Sequence, residues 1–439
     1  MSFGRSKDAD ISRRQMLTLL GAGALGTALA ACGTPTASSG PYKGKFVIFS
    51  VAVQAQSEPL IKAIEKAHPG VQVVWRTLTS ENFTTLFSAA VLAHDQIDLM
   101  DLNGQDLRRY AVGHELLDLS SISYKSRFVP DATQVYTVDN KLWALPRGGI
   151  GGFTFFYNKK LLQQIGYTKE LQTYSDLQEI APELKKIGVA PFVHPGKDIY
   201  LWPVWMFWAL AQTTKNQAVE TTFKTLSGKG KFTDPEYVAA LELIHKYAQD
   251  GMFIQGVNGL DTDGATVNFT QGKALFYYTH TGMISTVSTG NYPKLDMDVI
   301  PPLLAVSDTT VKRQMPGGYG DALGVYAKID SSRKQLAMDI ANLMTSDTWV
   351  KWANQQGADP ASCNKNVQAS NNPLAIKYAQ TCAPNQITYL DWYWPPEITT
   401  AFQQNIQTMI SGSGNPTSAA QAVQRTMDQV RQDGYTFQS

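Results

Sequence analysis

Two clusters of aromatic residues could bind a flat, partly apolar ligand. The first contains Trp392 and Trp394, which flank Tyr393 just before two prolines, and the second contains Tyr200 and Trp202. Indole and phenol rings combine an apolar face with a polar edge, so they can stack on a ring-shaped ligand such as a sugar. We predict Tyr200, Trp202, Trp392 and Trp394 as contacts in a binding cleft, and we expect at least one ring of the first cluster to line it. Packing in a large core is the alternative role.

Amide and carboxylate side chains follow two of the early strand-like segments. Gln54 comes after the first of these segments, and Asn103 and Asp106 come after the third. Ligands of open α/β sheets bind beyond the carboxyl ends of the strands. Amides and carboxylates held in fixed orientation suit sugar hydroxyls, which both donate and accept hydrogen bonds. We therefore expect these three side chains to contact ligand, with loop solvation and helix capping as the alternative roles.

Strand and helix patterns alternate in the segments that would position these residues. Residues 46–49, 71–75 and 97–100 are short apolar runs typical of buried strands, and stripes with helical spacing separate them. This rhythm is typical of a parallel sheet with helices on its faces. Helical patterns dominate later, over residues 176–187 and in the apolar stripe of residues 398–410. The sequence therefore predicts an α/β fold with a helix-rich second part.

The N-terminus has the pattern of an export signal. Arg13 and Arg14 precede an almost uncharged stretch from Met16 to Ala31, and Cys32 follows directly. A basic segment, a short apolar segment and small residues define a secretory signal, and the arginine pair resembles a twin-arginine (Tat) export motif. The stretch is shorter than the ~20 residues that a membrane span needs. A permanent transmembrane anchor is therefore the weaker interpretation.

The residues around Cys32 predict lipidation. The run Leu-Ala-Ala-Cys-Gly, which ends at Gly33, resembles a bacterial lipobox. We predict a signal peptide over residues 1–31, acylation of Cys32 and a flexible lipidated tether over residues 32–42. The protein would then be extracytoplasmic and lipid-anchored to the cell membrane. A plain cleaved signal with an incidental cysteine is the alternative.

Charge and length limit the class of protein. Removal of residues 1–31 leaves 38 − 4 basic and 37 − 2 acidic residues, a net charge near −1. This charge gives no electrostatic reason to expect nucleic acid as a partner. The remaining 439 − 31 = 408 residues are more than a single core usually supports, so we expect two lobes.

Two cysteines, Cys363 and Cys382, remain after Cys32 in a segment rich in proline and asparagine. Because disulfides are common in exported proteins, we predict a disulfide between them. Two unpaired buried thiols are the alternative.

Enzymatic and metal-binding functions have weak support. A glycoside hydrolase needs two carboxylates at a controlled separation, and no such pair is evident. The adjacent Tyr277 and Tyr278 could ligate iron, but neighbouring side chains of a strand point to opposite faces. The histidines are scattered. Asp261, Asp263 and Gly264 match part of a calcium loop, but Thr270 stands where that loop would need glutamate. We therefore expect no catalytic residues, no metal and no cofactor.

Several segments, in fixed order, resemble the family 1 extracellular solute-binding proteins, the maltodextrin-binding-protein-like subunits of ABC transporters. The matching segments are residues 139–146 (DNKLWALP), 155–159 (FFYNK), 269–276 (FTQGKALF), 300–302 (IPP) and 316–318 (PGG). The resemblance covers nearly the whole chain after the signal. It implies a carbohydrate-binding receptor that is a monomer and delivers its ligand to ABC permease subunits. A receptor for a polyamine or metal is the alternative.

The resemblance also implies a fold and a domain layout. The expected fold is a two-lobed periplasmic-binding-protein type II fold in which the chain crosses between lobes three times. Lobe 1 would comprise residues 43–148 and 300–328, and lobe 2 residues 149–299 and 329–439. Ligand would lie in the cleft between the lobes, which would close by hinge motion.

Further ligand contacts follow from the resemblance. His280 lies where the family turns a strand into the cleft, at a position where sugar-binding relatives carry tryptophan. Arg147 stands beside the first hinge, and Gly318 and Tyr319 belong to the glycine turn after the second hinge. The family places a stacking aromatic in the segment of Trp392.

Overall fold

The computed structural model describes residues 41–50, 54–78, 83–289, 295–356, 361–368 and 370–437. The chain divides into two units, Met1–Pro41 and Tyr42–Ser439, and the second contains the strands and helices below. The predicted signal peptide, Cys32 and the tether up to residue 40 lie outside the described residues and stay predictions. Within the described ranges, no helix is both long and apolar enough to cross a bilayer.

Strands and helices alternate along the chain, as the apolar runs and stripes predict. The strands are β1 Gly44–Ser50, β2 Val71–Thr77, β3 Leu99–Asn103, β4 Thr137–Val138, β5 Lys141–Leu142, β6 Leu145–Pro146, β7 Gly149–Asn158, β8 Ala190–Val193, β9 Ala274–His280, β10 Met297–Ile300, β11 Met315–Tyr319, β12 Asp321–Val325, β13 Ala361–Ser362 and β14 Gln386–Ile387. The helices are α1 Gln54–Ala67, α2 Phe83–Leu92, α3 Gly104–Val112, α4 Pro130–Val135, α5 Lys159–Gln164, α6 Tyr174–Lys186, α7 Pro203–Thr213, α8 Ala218–Leu226, α9 Pro235–Gln249, α10 Thr262–Thr270, α11 Gly282–Thr289, α12 Ser331–Met344, α13 Asp347–Gln356, α14 Pro373–Thr381, α15 Pro396–Ile410 and α16 Pro416–Gln432.

The first sheet has the strand order β2-β1-β3-β12-β6 and forms the centre of lobe 1. β1 pairs in parallel with β2 and β3, and β12 is antiparallel to β3. The residues from Phe46 to Phe49 are all buried. A strand that is buried on both faces needs helices on both sides, and α1, α2 and α12 contribute residues to the surrounding core. The predicted α/β arrangement is confirmed here.

The second sheet has the order β14-β11-β7-β9-β8 and forms the centre of lobe 2, with β10 and β13 also pairing with β7. Beside it lies α7, in which every residue from Pro203 to Gln212 is buried. A helix that is apolar all round belongs inside a core. Trp205 and Trp208 pack edge to face there, with ring centroids 5.7 Å apart.

The chain passes between the two sheets through short segments. It leaves the first sheet after Pro146 and enters the second at Gly149, and it returns between Tyr319 and Asp321. β11 and β7 are antiparallel neighbours, with Gly318 opposite Gly151. These two passages therefore lie side by side. The first matches the predicted boundary after residue 148, but the second lies at residues 319–321 and not at the predicted boundary before residue 300, because Ile300 and Leu303 pack in the core of lobe 2.

The packing corrects the predicted lobe boundaries. β11 pairs with β7, so residues 315–319 belong to lobe 2 and not to lobe 1. Leu336, Ile340 and Met344 of α12 are buried in the lobe 1 core, so this helix does not belong to lobe 2. The apolar stripe of α12 predicts a helix that covers a core, but not which of two cores it covers.

The predicted disulfide is wrong. Cys363 is buried in the core of lobe 1, whereas Cys382 is buried with Phe156 and Tyr277 on the second sheet, and no disulfide joins them. The sulfur of Cys382 lies 3.3 Å from the hydroxyl oxygen of Thr154. Burial raises the pKa of the Cys382 thiol, which makes it a poor nucleophile.

Candidate functional site

Four rings of lobe 2 form a continuous surface, here called the aromatic wall: His280, Phe153, Tyr389 and Trp392. The Phe153 ring lies 5.6 Å from that of His280 and 6.3 Å from that of Tyr389, edge to face in both cases. Tyr389 stacks on Trp392 at 4.7 Å with 27° between the planes. His280 is exposed, and Tyr389 and Trp392 are half-buried. The wall can therefore offer ring faces and edges to a ligand.

The sheet and its glycines determine where the wall lies. Phe153 and His280 are opposite one another in the β7–β9 ladder. A Cβ atom on Gly151 would lie 2.8 Å from both Cε1 and Nε2 of the His280 ring. Real Cβ atoms do not approach this closely, so glycine at this position allows the ring to lie against the backbone of β7.

Gln386 ties the strands beneath the wall together. Its Nε2 donates to the carbonyl oxygen of Gly151 at 2.8 Å and to the hydroxyl of Tyr378. A Cβ on Gly317 would collide with the Gln386 side chain. The glycine turn therefore makes room for this amide, which joins β14 to β7.

Polar residues at strand ends of lobe 1 form a second surface, the polar floor: Ser50, Asp101, Arg147 and Asp321. The Ser50 hydroxyl donates to Asp101 Oδ2 at 2.7 Å, and Arg147 Nη1 donates to the same oxygen. The backbone N–H of Arg147 donates to the carbonyl oxygen of Asp321 at 2.9 Å. Parallel β1 and β3 bring Ser50 and Asp101 to one edge of the sheet, where open α/β sheets bind ligands.

Wall and floor belong to one cleft between the lobes. Helix α3 of lobe 1 contacts the 3-10 turn Leu390–Trp392 of lobe 2. The Arg108 guanidinium lies 5.7 Å from the centre of the Tyr393 ring. Burial raises the pKa of Tyr389, and the carboxylates of Asp391, in lobe 2, and Asp321, in lobe 1, raise it further. Tyr389 is thus close to acidic groups of both lobes.

His280 is neutral at physiological pH. The residue is exposed overall, but burial of its ring among neighbouring groups, such as Phe153 and the β7 backbone at Gly151, disfavours the charged form and lowers its pKa to about 4. The backbone N–H of Gly282 donates to His280 Nδ1 at 3.2 Å. In a neutral ring whose Nδ1 accepts, Nε2 carries the proton, so His280 can donate one hydrogen bond to a ligand.

Asp391 lies between Tyr389 and Trp392 in sequence, in the turn that carries the wall. Burial raises the pKa of its carboxyl to about 7, although the backbone N–H groups of Asp391 and Trp392 oppose this shift. Its Oδ1 atom is buried and has no hydrogen-bond partner among the described residues. A buried carboxylate oxygen without a partner disfavours the ionised form, in agreement with the raised pKa of Asp391.

Two predicted contact residues belong to the core instead. Trp202 is 0% exposed, and its Nε1 donates to the carbonyl oxygen of Gly196 at 3.1 Å. Trp394 is 3% exposed and stacks on Phe402 at 4.6 Å. Neither ring can reach a ligand without leaving its core, so both predictions are wrong. The 3-10 turn instead directs Trp392 to the wall.

The other predicted contacts occupy mixed positions. Arg147 lies in the floor, and His280 and Trp392 lie in the wall. Gln54 is exposed at the start of α1, and Tyr200 is 40% exposed on the 3-10 turn Ile199–Leu201.

Three further predicted contacts lie near the first sheet and the passages. Asn103 ends β3 and Asp106 lies in α3, but their side chains are outside what the structure describes. Gly318 has φ of +138°, a conformation that favours glycine. Tyr319 ends β11, and its carbonyl oxygen accepts the Tyr136 hydroxyl at 3.0 Å.

Sequence reasoning missed six residues of the site and its turn: Ser50, Asp101, Asp321, Phe153, Tyr389 and Asp391. Asp101 had a usable signal, because it ends a strand-like run at the edge where ligands bind. Tyr389 and Asp391 directly precede Trp392 and could have been included with it. Phe153 had no usable signal, because the sequence does not distinguish it from the other apolar residues of its strand.

A separate cavity of about 710 Å³ lies within lobe 2, lined by Tyr157, Arg313 and Lys377 among others. None of its lining residues belongs to the wall or the floor. The described residues also contain no group of three or more His, Cys, Asp or Glu that could hold a metal. The cleft therefore remains the candidate site, because it combines exposed rings with polar groups from both lobes.

Comparison with known proteins identifies a family. A model of the bacterial extracellular solute-binding proteins matches residues 59–381, which is more than half of the chain. An uncharacterized ABC transporter extracellular-binding protein of Pyrococcus horikoshii is 23% identical over 184 residues. This match spans 40% of the present chain and 42% of that relative, which is less than half of its length.

Solved structures share the fold over nearly their whole length. A chitin oligosaccharide binding protein has a TM-score of 0.79 at 18% identity, covering 89% of this chain and 100% of its own. RafE in complex with raffinose has a TM-score of 0.74 at 17% identity, covering 88% and 99%. Maltose-bound MalE3 of T. maritima has a TM-score of 0.72 at 18% identity, covering 88% and 100%. At these identities the likeness shows the fold.

Proposed function

The chain belongs to the bacterial extracellular solute-binding proteins, and on this premise we propose that it is the receptor subunit of an ABC importer and captures a carbohydrate between its lobes. The aromatic wall carries the proposal. Its rings can stack on the C–H faces of a sugar, while Arg147 and the N–H of His280 bond hydroxyls. The sugars named for the structural neighbours support the same ligand class.

The proposed mechanism needs binding and closure but no bond making. A micromolar affinity corresponds to a free energy of about −8 kcal/mol, within reach of a few stacked rings and several hydrogen bonds. The two neighbouring passages at residues 146–149 and 319–321, and a third beyond α13, would act as hinges. Closure would bring the floor onto a ligand stacked on the wall, and the closed monomer would deliver the ligand to the permease. Further proposed contacts are Gln54, Asn103, Asp106, Tyr200, Gly318 and Tyr319.

Calorimetry with maltotriose, raffinose and triacetylchitotriose, with spermidine and a tripeptide as controls, tests the ligand class. We expect at least one sugar to bind. Binding of spermidine or the peptide alone would refute the carbohydrate proposal. Hydrolysis of any of these sugars by the protein would refute its assignment as a receptor without catalytic activity.

The role of the wall is tested by Trp392→Ala, which removes a half-buried ring. We expect sugar affinity to fall about 10-fold or more, because an aromatic stack contributes roughly 1 kcal/mol beyond the area it buries. Trp352→Ala is the matched control, because Trp352 is a half-buried tryptophan of α13 in lobe 1. If Trp392→Ala and Trp352→Ala bind sugar with equal affinity, the aromatic wall is not part of the binding site.

We also propose that the receptor is exported through the Tat route and held at the membrane by an acylated Cys32. More than one acyl chain is needed for stable anchoring, and the tether would leave the lobes free to move. Cys32→Ser should shift the protein from the membrane fraction to the soluble fraction. Retention of this variant in the membrane fraction would refute the anchor.

A further inference from the structure

We propose that the cavity of about 710 Å³ in lobe 2 is a second binding site, which takes a small organic anion through the guanidinium of Arg313. The ligand class is a carboxylate or phosphate group attached to an apolar body. Because no lining residue of this cavity belongs to the wall or the floor, its ligand is independent of the sugar proposed for the cleft.

The lining of the cavity combines exposed polar residues with buried apolar ones. Thr309 and Lys312 are exposed, so part of the lining faces solvent and a ligand can enter. Ile300, Leu304 and Val311 are buried and provide apolar walls. Pockets for small organic molecules have a comparable volume and the same mixture of apolar walls and a few polar groups.

Arg313 brings a positive charge into this lining without a bonded carboxylate. Among the described residues, the only hydrogen bond of its side chain runs from Nη1 to the carbonyl oxygen of Leu171, at a long 3.5 Å. Burial lowers the pKa of the guanidinium, and the Glu170 carboxylate only partly opposes this shift. A guanidinium has five N–H donors, so a bound anion would supply both the missing acceptors and the missing charge.

The acidic groups at the cavity bond to other residues. Glu170, which belongs to the lining, accepts a hydrogen bond from the side-chain amide of Gln172 at 3.0 Å. Asp298 accepts from the Tyr157 hydroxyl at 3.2 Å and pairs with Lys377 at 2.5 Å. These contacts leave the Arg313 charge to a ligand.

The lining as a whole favours an organic anion. It contains three basic side chains, those of Lys312, Arg313 and Lys377, against the single acidic side chain of Glu170. A carboxylate or phosphate matches the planar donor fork of arginine. An apolar body would cover the buried walls, which an inorganic ion would leave in contact with water.

Ligand-observed NMR titrations with benzoate and phenyl phosphate test the site, and benzyl alcohol serves as the neutral analogue. We expect at least one of the two anions to bind the wild type about 10-fold or more tightly than benzyl alcohol, because hydrogen bonds between ionised groups are the strong ones. The tighter anion identifies the acid group of the ligand. Arg313→Gln should weaken its binding about 10-fold or more. Arg431→Gln is the matched control, because Arg431 is a half-buried arginine of lobe 2 that donates to the carbonyl oxygen of Thr225, outside the cavity.

Two further variants make the test independent of how Arg313→Gln folds. Lys312→Glu changes an exposed side chain of the lining and should weaken anion binding about 3-fold or more by repulsion. Trp392→Ala alters the cleft and should bind the anion as the wild type does. Three results would overturn this site: neither anion binds more tightly than benzyl alcohol, a folded Arg313→Gln or Lys312→Glu binds the anion with unchanged affinity, or Trp392→Ala loses the anion, which would place it in the cleft.

Discussion

Arg147→Ala should destabilise lobe 1, because it removes the guanidinium that neutralises a buried carboxylate. The side chain of Asp101 is 3% exposed, and its Oδ2 accepts from both Arg147 and Ser50. Removing one member of a buried ion pair costs about 3–5 kcal/mol. Arg147 itself is 24% exposed, so water screens part of the charge left behind. We therefore expect the free energy of unfolding to fall by about 2–3 kcal/mol.

A double-mutant cycle separates the ion pair from other effects of the substitution. Asp101→Asn removes the charge but keeps an oxygen that can accept the Ser50 hydroxyl. The double variant should therefore be more stable than the two single losses added together, by about 1–2 kcal/mol. Arg76→Ala is the control, because the Arg76–Asp95 pair has side chains that are 40% and 43% exposed and should contribute less than about 1 kcal/mol.

Urea unfolding, followed by tryptophan fluorescence and far-UV circular dichroism, measures these losses as shifts of the midpoint. The slope should stay constant across the variants, which would show that the surface exposed on unfolding is unchanged. The reasoning fails if Arg147→Ala is no less stable than Arg76→Ala. It also fails if the losses of the two single variants simply add.

Three other measurements test particular features of the structure. A Cys32→Ser chain unfolded without reductant should show two titratable thiols, since Cys363 and Cys382 lie in different cores. Detection of no free thiol would instead show that the two cysteines form a disulfide. Gly151→Ala should weaken sugar binding about 10-fold, because the added methyl group would displace the His280 ring. Gly259→Ala is the control, because a Cβ atom at Gly259 has open space around it. Equal effects of the two substitutions on sugar affinity would contradict the close packing of His280 against Gly151. Because the folded pKa of Asp391 is raised to about 7, its stabilising contribution is present in acid and lost as pH rises from about 4 to about 7. Asp391→Asn should not show this loss. Parallel curves of stability against pH for the wild type and this variant would refute the raised pKa of Asp391.

Local patterns were sufficient to predict most of the secondary structure. The stripe of residues 398–410 became α15, with Ile398, Phe402 and Ile406 buried. The apolar run of residues 46–49 became the interior of β1. Such predictions succeed because the period of apolar residues is a property of the segment itself, whatever core it later contacts.

The site was predictable only in part. The segment that contains Trp392 and the strand that ends at His280 were identified from residue types and family resemblance. The sequence did not show which tryptophan reaches the cleft, because Trp202 and Trp394 have the same chemistry as Trp392 and differ only in what surrounds them. Burial depends on contacts with residues distant in the chain, such as the stacking of Trp394 on Phe402.

By itself, the sequence determined the α/β fold and the family, and it predicts export from the pattern of residues 1–31. Only the tertiary structure decided that α12 belongs to lobe 1, that Cys363 and Cys382 lie in different cores, and that the Oδ1 atom of Asp391 is buried in the turn that carries the aromatic wall. The physical reason is the same in each case. Periodicity and composition depend on neighbours along the chain, whereas core membership, side-chain pairing and charge environment depend on how the passages bring distant segments together.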